Sequence, residues 1–299
     1  MSLFNKLIIT FLPLIPKPIV GMVSKRYVAG AKLDDAVKTV KNLNAQGIMA
    51  TLDVLGESAK QKDECTAAVM EYFQVLETIV QEKLDCNISL KPTQLGLSLD
   101  KELCYENIRQ IVQKAAQLNV FVRIDMEDSN CTTNTIEIFS RLHQEFKNVG
   151  IVLQAYLRRS LNDLKKLSQY GANFRLCKGI YVEKRQIAYK DAWIINQNFA
   201  LLMECGFKAK SYIGIATHDE KVVWEGLRLI EQLQLGRNDY EFQMLLGVDE
   251  ELRKILIDTG HRLRVYVPYG AQWYAYCIRR LKENPKIAIY VMKAMVGLR

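Results

Sequence analysis

Eight short apolar runs recur along this chain, each ending in polar residues and each followed by a longer stretch. They read GIMATLDVLGE, NISLKPTQLG, VFVRIDMEDS, VGIVLQAYLR, NFRLCKGIY, YIGIATHDE, YEFQMLLGV and LRVYVPYG. Between them lie segments with helical spacing of apolar residues, among them 60–83, 101–118, 132–147 and 220–235. Repeated strand–helix alternation specifies a parallel sheet with helices outside it. Eight units is the number that closes a (β/α)8 barrel, a fold of about 250 residues, and the 299 residues present accommodate one with a short addition. No G-x-G-x-x-G stretch follows the first run, which weighs against a doubly wound dinucleotide fold.

The addition is N-terminal. Residues 3–23 are apolar but carry Pro13, Pro16 and Pro18, which break any long helix. The uncharged run is also shorter than the ~20 residues a membrane span needs. The expected organisation is a helical arm over 1–40 and a barrel over 41–299. Seven cysteines without a C-x-x-C pair, and only three histidines, speak against a zinc site and for a reducing compartment. The protein is therefore read as cytoplasmic and metal-free, with peripheral membrane attachment through the arm as the alternative. A net charge of +8 suits nucleic acid, an anionic surface or an anionic ligand. No dense Lys/Arg block or nucleic-acid motif is present, so nucleic acid is set aside.

Polar residues gather where the runs end, which in a barrel is the catalytic rim. They are Glu57, Lys91, Asp125 to Glu127, Gln154, Arg175, Lys178, Thr217, His218, Gln243 and Tyr266. Polar residues also stop strands, so each one alone carries a structural reading. Asp125 ends VFVRID, and its alternation with Arg123 points one of the two into a polar interior. A buried carboxylate needs a cation. Lys91 ends the preceding run, and neighbouring strands lie about 4.8 Å apart, so a Lys91–Asp125 pair is expected. Arg175 and Lys178 beside Gly179 suit a phosphate or an anionic reduced flavin, or else a glycine turn flanked by solvated charge. In ATHDE, Thr217 or Asp219 can cap the following helix, whose N-terminus can also receive phosphate. In WYAYCIRRLKENP, Trp273, Tyr276 and Arg280 share a helix face. Arg279 lies about 100° round, and Glu283 can brace both arginines. That face suits a small carboxylate on an apolar ring, or else it is an exposed helix with snorkelling arginines.

The ordered series SLKPTQLG, VRIDMED, LQAYLRR, RLCKGIY, ATHD, EFQMLLG and RVYVPYG…WYAYCIRRLKENP resembles the monofunctional bacterial proline dehydrogenases, from about Gly30 to Pro285. The resemblance implies a distorted (β/α)8 barrel that holds FAD non-covalently. It implies oxidation of L-proline to Δ1-pyrroline-5-carboxylate, with electrons passed to a membrane quinone. A separate pyrroline-5-carboxylate dehydrogenase would then take the next step. By position, Lys91 resembles the contact to the substrate carboxylate, and Asp125 its ion-pair partner and a catalytic residue. Met126 resembles a backbone contact to the flavin. Gln154 and Arg175 resemble donors to the isoalloxazine, with Arg175 catalytic beside its N5. Lys178, Gly179, Ile180, Thr217 and His218 resemble the ribityl and phosphate contacts. Tyr181, Leu245 and Tyr266 resemble walls of the substrate pocket. Arg279 and Arg280 resemble a carboxylate clamp, with Glu283 grouped among the cofactor-binding residues. Glu57 is the expected gate, closing onto Arg279. Two rival readings are a flavin barrel acting on another cyclic imino acid, such as hydroxyproline, and a non-enzymatic basic barrel that binds anions or a membrane.

Overall fold

The computed structural model describes residues 26–274, 276 and 277. The segment 1–25, Arg279, Arg280 and Glu283 lie outside the described residues. After helix α1 (Leu33–Asn44) the chain alternates strand and helix: β1 (Met49–Val54), α2 (Lys62–Gln81), β2 (Cys86–Leu90), α3 (Lys101–Gln117) and β3 (Val122–Ile124). It continues with α4 (Ser129–Glu145), β4 (Val149–Gln154), α5 (Ser160–Ser168), β5 (Phe174–Cys177), α6 (Ala192–Lys208) and β6 (Ile213–Ala216). It ends with α7 (Glu220–Gln232), β7 (Tyr240–Leu245), α8 (Glu250–Asp258) and β8 (Leu263–Tyr269). The strands pair in parallel in sequence order and close, β8 against β1, into a barrel. All eight expected runs become strands. Helix α1 packs on β1 and β8 and runs across the 40/41 boundary expected between arm and barrel.

Alternation sorts each strand's side chains into two sets. Leu52, Val54, Ile88, Leu90, Val122, Ile124, Ile151 and Leu153 belong to the large apolar cluster and have almost no exposure. The helices supply the matching stripe. On α7 it is Val222, Val223, Gly226 and Leu229, at the spacing of one helix face. Aspartates cap α3, α4, α6, α7 and α8, each with a side-chain oxygen accepting a first-turn N–H. Such caps contribute about 1 kcal/mol each.

The inward set is polar. Arg123 and Asp125 are both in it, as residues two apart on one strand must be; the expectation that only one of them faces inward is corrected. Two glycines make room for these long side chains. A Cβ on Gly150 would collide with the Arg123 guanidinium, and one on Gly214 with the Gln243 amide. Arg123 is buried, and its Nη1 donates to the carbonyls of Ile151 at 3.1 Å and Asn173 at 2.7 Å.

Candidate active site

Inside the barrel, ion pairs and hydrogen bonds form one continuous chain. Arg264 Nε donates to Glu241 Oε1 at 2.8 Å, and Gln243 Nε2 donates to the same oxygen at 2.6 Å. Gln243 Oε1 accepts from Arg175 Nε at 2.6 Å. Arg175 Nη1 donates to Asp125 Oδ1 at 2.8 Å and to Ser89 Oγ at 3.1 Å. Ser89 Oγ in turn donates to Asp125 Oδ1 at 2.6 Å. The Tyr266 hydroxyl donates to Asp125 Oδ2 at 3.1 Å and accepts from Lys91 Nζ at 3.4 Å. Lys91 closes the chain in an ion pair with Asp53.

This chain corrects the expected Lys91–Asp125 pair. Asp125 belongs to Arg175, two strands further on, and Lys91 belongs to Asp53 on the preceding strand. The register explains it: Asp53 stands opposite Ser89 on β2, so Lys91, two residues further along the same face, reaches back over Ser89 to Asp53. Ser89 then fills the space between Asp53 and Asp125. Asp53 is fully buried, and sequence reasoning passed it over because it lies within a strand rather than at its end. A signal was present, since Thr51 and Asp53 are polar at alternate positions of an otherwise apolar run. Burial pushes the Asp53 carboxyl up, against the pull of Lys91 and with the push of Asp125. Glu241 behaves differently. Burial pushes it up too, but the Arg264 charge and its hydrogen bonds take it below the ordinary carboxylate value. Burial holds the Tyr266 phenol far above its ordinary value.

Above this floor opens a cavity of about 630 Å³, within the roughly 300–1,000 Å³ common for small-molecule sites. Its wall brings together Lys91, Asp125, Met126, Gln154, Arg175, Lys178, Gly179, Ile180, Tyr181, Thr217, His218, Leu245 and Tyr266. Every expected site residue that is described, apart from Glu57, therefore lines one space. Glu57 is exposed in the loop after β1. Tyr276 lines the cavity and is buried, while Trp273 is half-buried and packs edge-on against Tyr274.

Short bonds fix the rim. Gln154 Nε2 donates to the carbonyls of Met126 at 2.9 Å and Glu127 at 3.3 Å, tying the end of β4 to the turn after β3. Glu127 accepts from the N–H and hydroxyl of Thr93 at 2.8 and 2.6 Å, and burial pushes its carboxyl up. His218 Nε2 accepts from the Leu245 N–H at 2.9 Å, which places the proton of the neutral ring on Nδ1. Lys178 forms an ion pair with Asp219, and Asp219 also caps α7.

Gly179 has φ of +101°, and a Cβ there would overlap the Tyr156 ring. Only glycine takes that conformation without strain. Gly179→Ala is expected to destabilise the protein by about 2 kcal/mol and to distort the β5 rim. Melting temperature and retained ligand would both fall; an unchanged melting temperature would mean that the loop absorbs the methyl group.

Two polar atoms at this site have no partner among the described residues: Arg175 Nη2, a donor, and Gln154 Oε1, an acceptor. Both side chains line the cavity. Buried unpaired groups are costly, so this wall offers one open donor and one open acceptor to a polar partner.

The family model for proline dehydrogenase matches residues 36–291. The chain is 38% identical over 273 residues to proline dehydrogenase 1 of Bacillus subtilis (strain 168), covering 91% of this chain and 90% of that one. It is 36% identical over 278 residues to the proline dehydrogenase of Deinococcus radiodurans, with coverage of 91% and 90%. Among solved structures, proline utilization A (PutA) from Bdellovibrio bacteriovorus, inactivated by N-propargylglycine, superposes with a TM-score of 0.83 at 27% identity. That match spans 88% of this chain and 32% of the longer one.

Proposed function

The chain belongs to the proline dehydrogenase family of oxidoreductases, and from that premise we propose that it oxidises L-proline to Δ1-pyrroline-5-carboxylate, with non-covalently held FAD as the hydride acceptor and a quinone as the final electron acceptor. The observation that carries this reading is the pair of buried, unpartnered atoms, Arg175 Nη2 and Gln154 Oε1, on the cavity wall. A flavin ring would offer an acceptor atom to the first and a donor to the second.

FAD, when bound, supplies the redox chemistry by taking a hydride from the ring carbon next to the substrate nitrogen. The residues of the chain supply position and field. Arg175 is locked by Gln243, Ser89 and Asp125, so its charge needs no rearrangement to stabilise an anion. Both Asp125 oxygens are already engaged, which makes Asp125 an anchor for Arg175 and Tyr266 rather than a proton acceptor. Lys91, held by Asp53 and Tyr266, is the proposed contact for the substrate carboxylate. Arg279 and Arg280 are the proposed remainder of the clamp, and Glu57, exposed in the loop after β1, is its proposed gate. Tyr181, Leu245 and Tyr266 form the apolar wall for the ring. Lys178, Gly179, Ile180, Thr217 and His218, which line the cavity, would hold the ribityl and phosphate groups. Among the described residues no helix is long and apolar enough to cross a membrane. The quinone is the proposed electron acceptor, and a pyrroline-5-carboxylate dehydrogenase the proposed consumer of the product.

The test is direct. The purified protein should be yellow; L-proline without oxygen should bleach its flavin absorbance, and a soluble quinone should restore it. Pyrrolidine, which lacks the carboxylate, tests the clamp. Arg280→Met should cost about 10- to 150-fold in kcat/KM on proline, the loss of a charge-assisted bond, and far less on pyrrolidine. Equal loss on both compounds would assign Arg280 to the fold or the flavin instead. A larger response to hydroxyproline than to proline would favour the rival substrate.

A further inference from the structure

The cation at the end of β5 is already paired with the protein's own anion. Lys178 forms an ion pair with Asp219 Oδ2, both side chains about one-third exposed, and both residues line the cavity. Asp219 is tightly fixed. The same Oδ2 accepts from Asn196 Nδ2 at 3.0 Å, and Oδ1 accepts from the Lys221 N–H at 3.0 Å. Its own N–H donates to Thr217 Oγ1 at 3.0 Å. Burial pushes its carboxyl up, but the Lys178 and Asn196 hydrogen bonds outweigh this and leave it below its ordinary value. Glu220 adds a second acidic residue in the first turn of α7. The positive end of that helix is thus served by carboxylates.

We propose that Asp219 is a built-in competitor for the anion site at Lys178, a carboxylate that pairs with the lysine and weakens the grip on the cofactor's phosphates. The proposal rests on the reading above that this end of the cavity receives those phosphates. An incoming phosphate must share Lys178 with Asp219 and sit within the field of a like charge. At such a partly exposed wall, one like charge a few ångströms away changes affinity by about 5- to 20-fold, and salt screens the effect.

Asparagine separates charge from structure, because it caps helices as well as aspartate does. The full chain, stripped of flavin, is titrated with FAD and with riboflavin, which has no phosphate, and Kd is read from flavin fluorescence. Asp219→Asn should tighten FAD about 5- to 20-fold, leave riboflavin unchanged, and lose the advantage at high salt. Asp219→Ala removes cap and charge together; its melting temperature should fall while FAD still tightens. An Asp219→Asn protein that binds FAD equally or more weakly overturns the proposal, because Asp219 would then be positioning Lys178 for the phosphate. Equal tightening of FAD and riboflavin overturns it as well. A wild-type chain that binds neither flavin brings down the functional reading, and this inference with it.

Discussion

Arg175→Met is expected to lower kcat/KM for L-proline by about 100- to 1,000-fold, the usual cost of removing a fixed group that stabilises developing negative charge. Three bonds place this guanidinium, to Gln243, Ser89 and Asp125. Its Cζ also lies 5.4 Å from the centre of the Tyr266 ring. Methionine keeps the bulk and removes the charge, leaving Asp125 with Ser89 and Tyr266 alone. Arg175→Lys should rescue little, since an ammonium cannot serve Gln243, Ser89 and Asp125 with one planar fork. The midpoint potential of the proposed flavin is the second readout, and with Arg175 beside the reduced ring as proposed it should fall. A variant with unchanged flavin content, potential and turnover would remove Arg175 from the mechanism.

The largest effect on stability is expected one layer deeper. Glu241→Gln keeps the shape of the side chain but leaves Arg264 as a buried charge without its counter-ion. Breaking a buried pair in this way costs about 3–5 kcal/mol, and at about 2–4 °C per kcal/mol for a domain of this size the melting temperature should drop by roughly 10 °C. The pH dependence has a definite sign. The Glu241 carboxyl is held below its ordinary value, so its contribution is complete above the unfolded carboxylate value near ~4.3 and is lost as pH falls through the lower folded value. The gap in melting temperature between wild type and variant should therefore be widest at neutral pH and narrow under acid. A gap that is absent at neutral pH, or that widens on acidification, would show that Arg264 has another counter-charge.

The strands were legible because parallel barrel strands are covered on their outer face by helices and so read as short β-branched runs. Their ends were legible because they carry the polar rim, and the described rim residues from Lys91 to Tyr266 converge on one cavity. What escaped lies inside the strands. Asp53, Ser89, Glu241 and Arg264 are embedded in otherwise apolar runs, where an isolated polar residue looks like an interruption until the alternation is counted. Pairing was harder still. The Lys91–Asp125 expectation used strand adjacency alone, whereas reach and stagger decide which carboxylate a long side chain meets. Arg175 reaches Asp125 past the intervening strand β4, and a pattern along the chain carries no such distance.

The Arg175–Asp125 contact also bears on how the protein reaches its native state. It joins the first four strands to the last four. The first half brings Asp53, Lys91, Arg123 and Asp125, and the second brings Arg175, Glu241 and Arg264. Neither half can dry its concave face alone, because Asp125 in one and Arg175 in the other would each be left as an unpaired ion facing a hydrophobic collapse. A half-barrel intermediate is therefore obliged to stay wet inside. Expulsion of water and closure of β1 against β8 become one cooperative event, and a fragment cut between β4 and β5 gains its interior only when its complement docks.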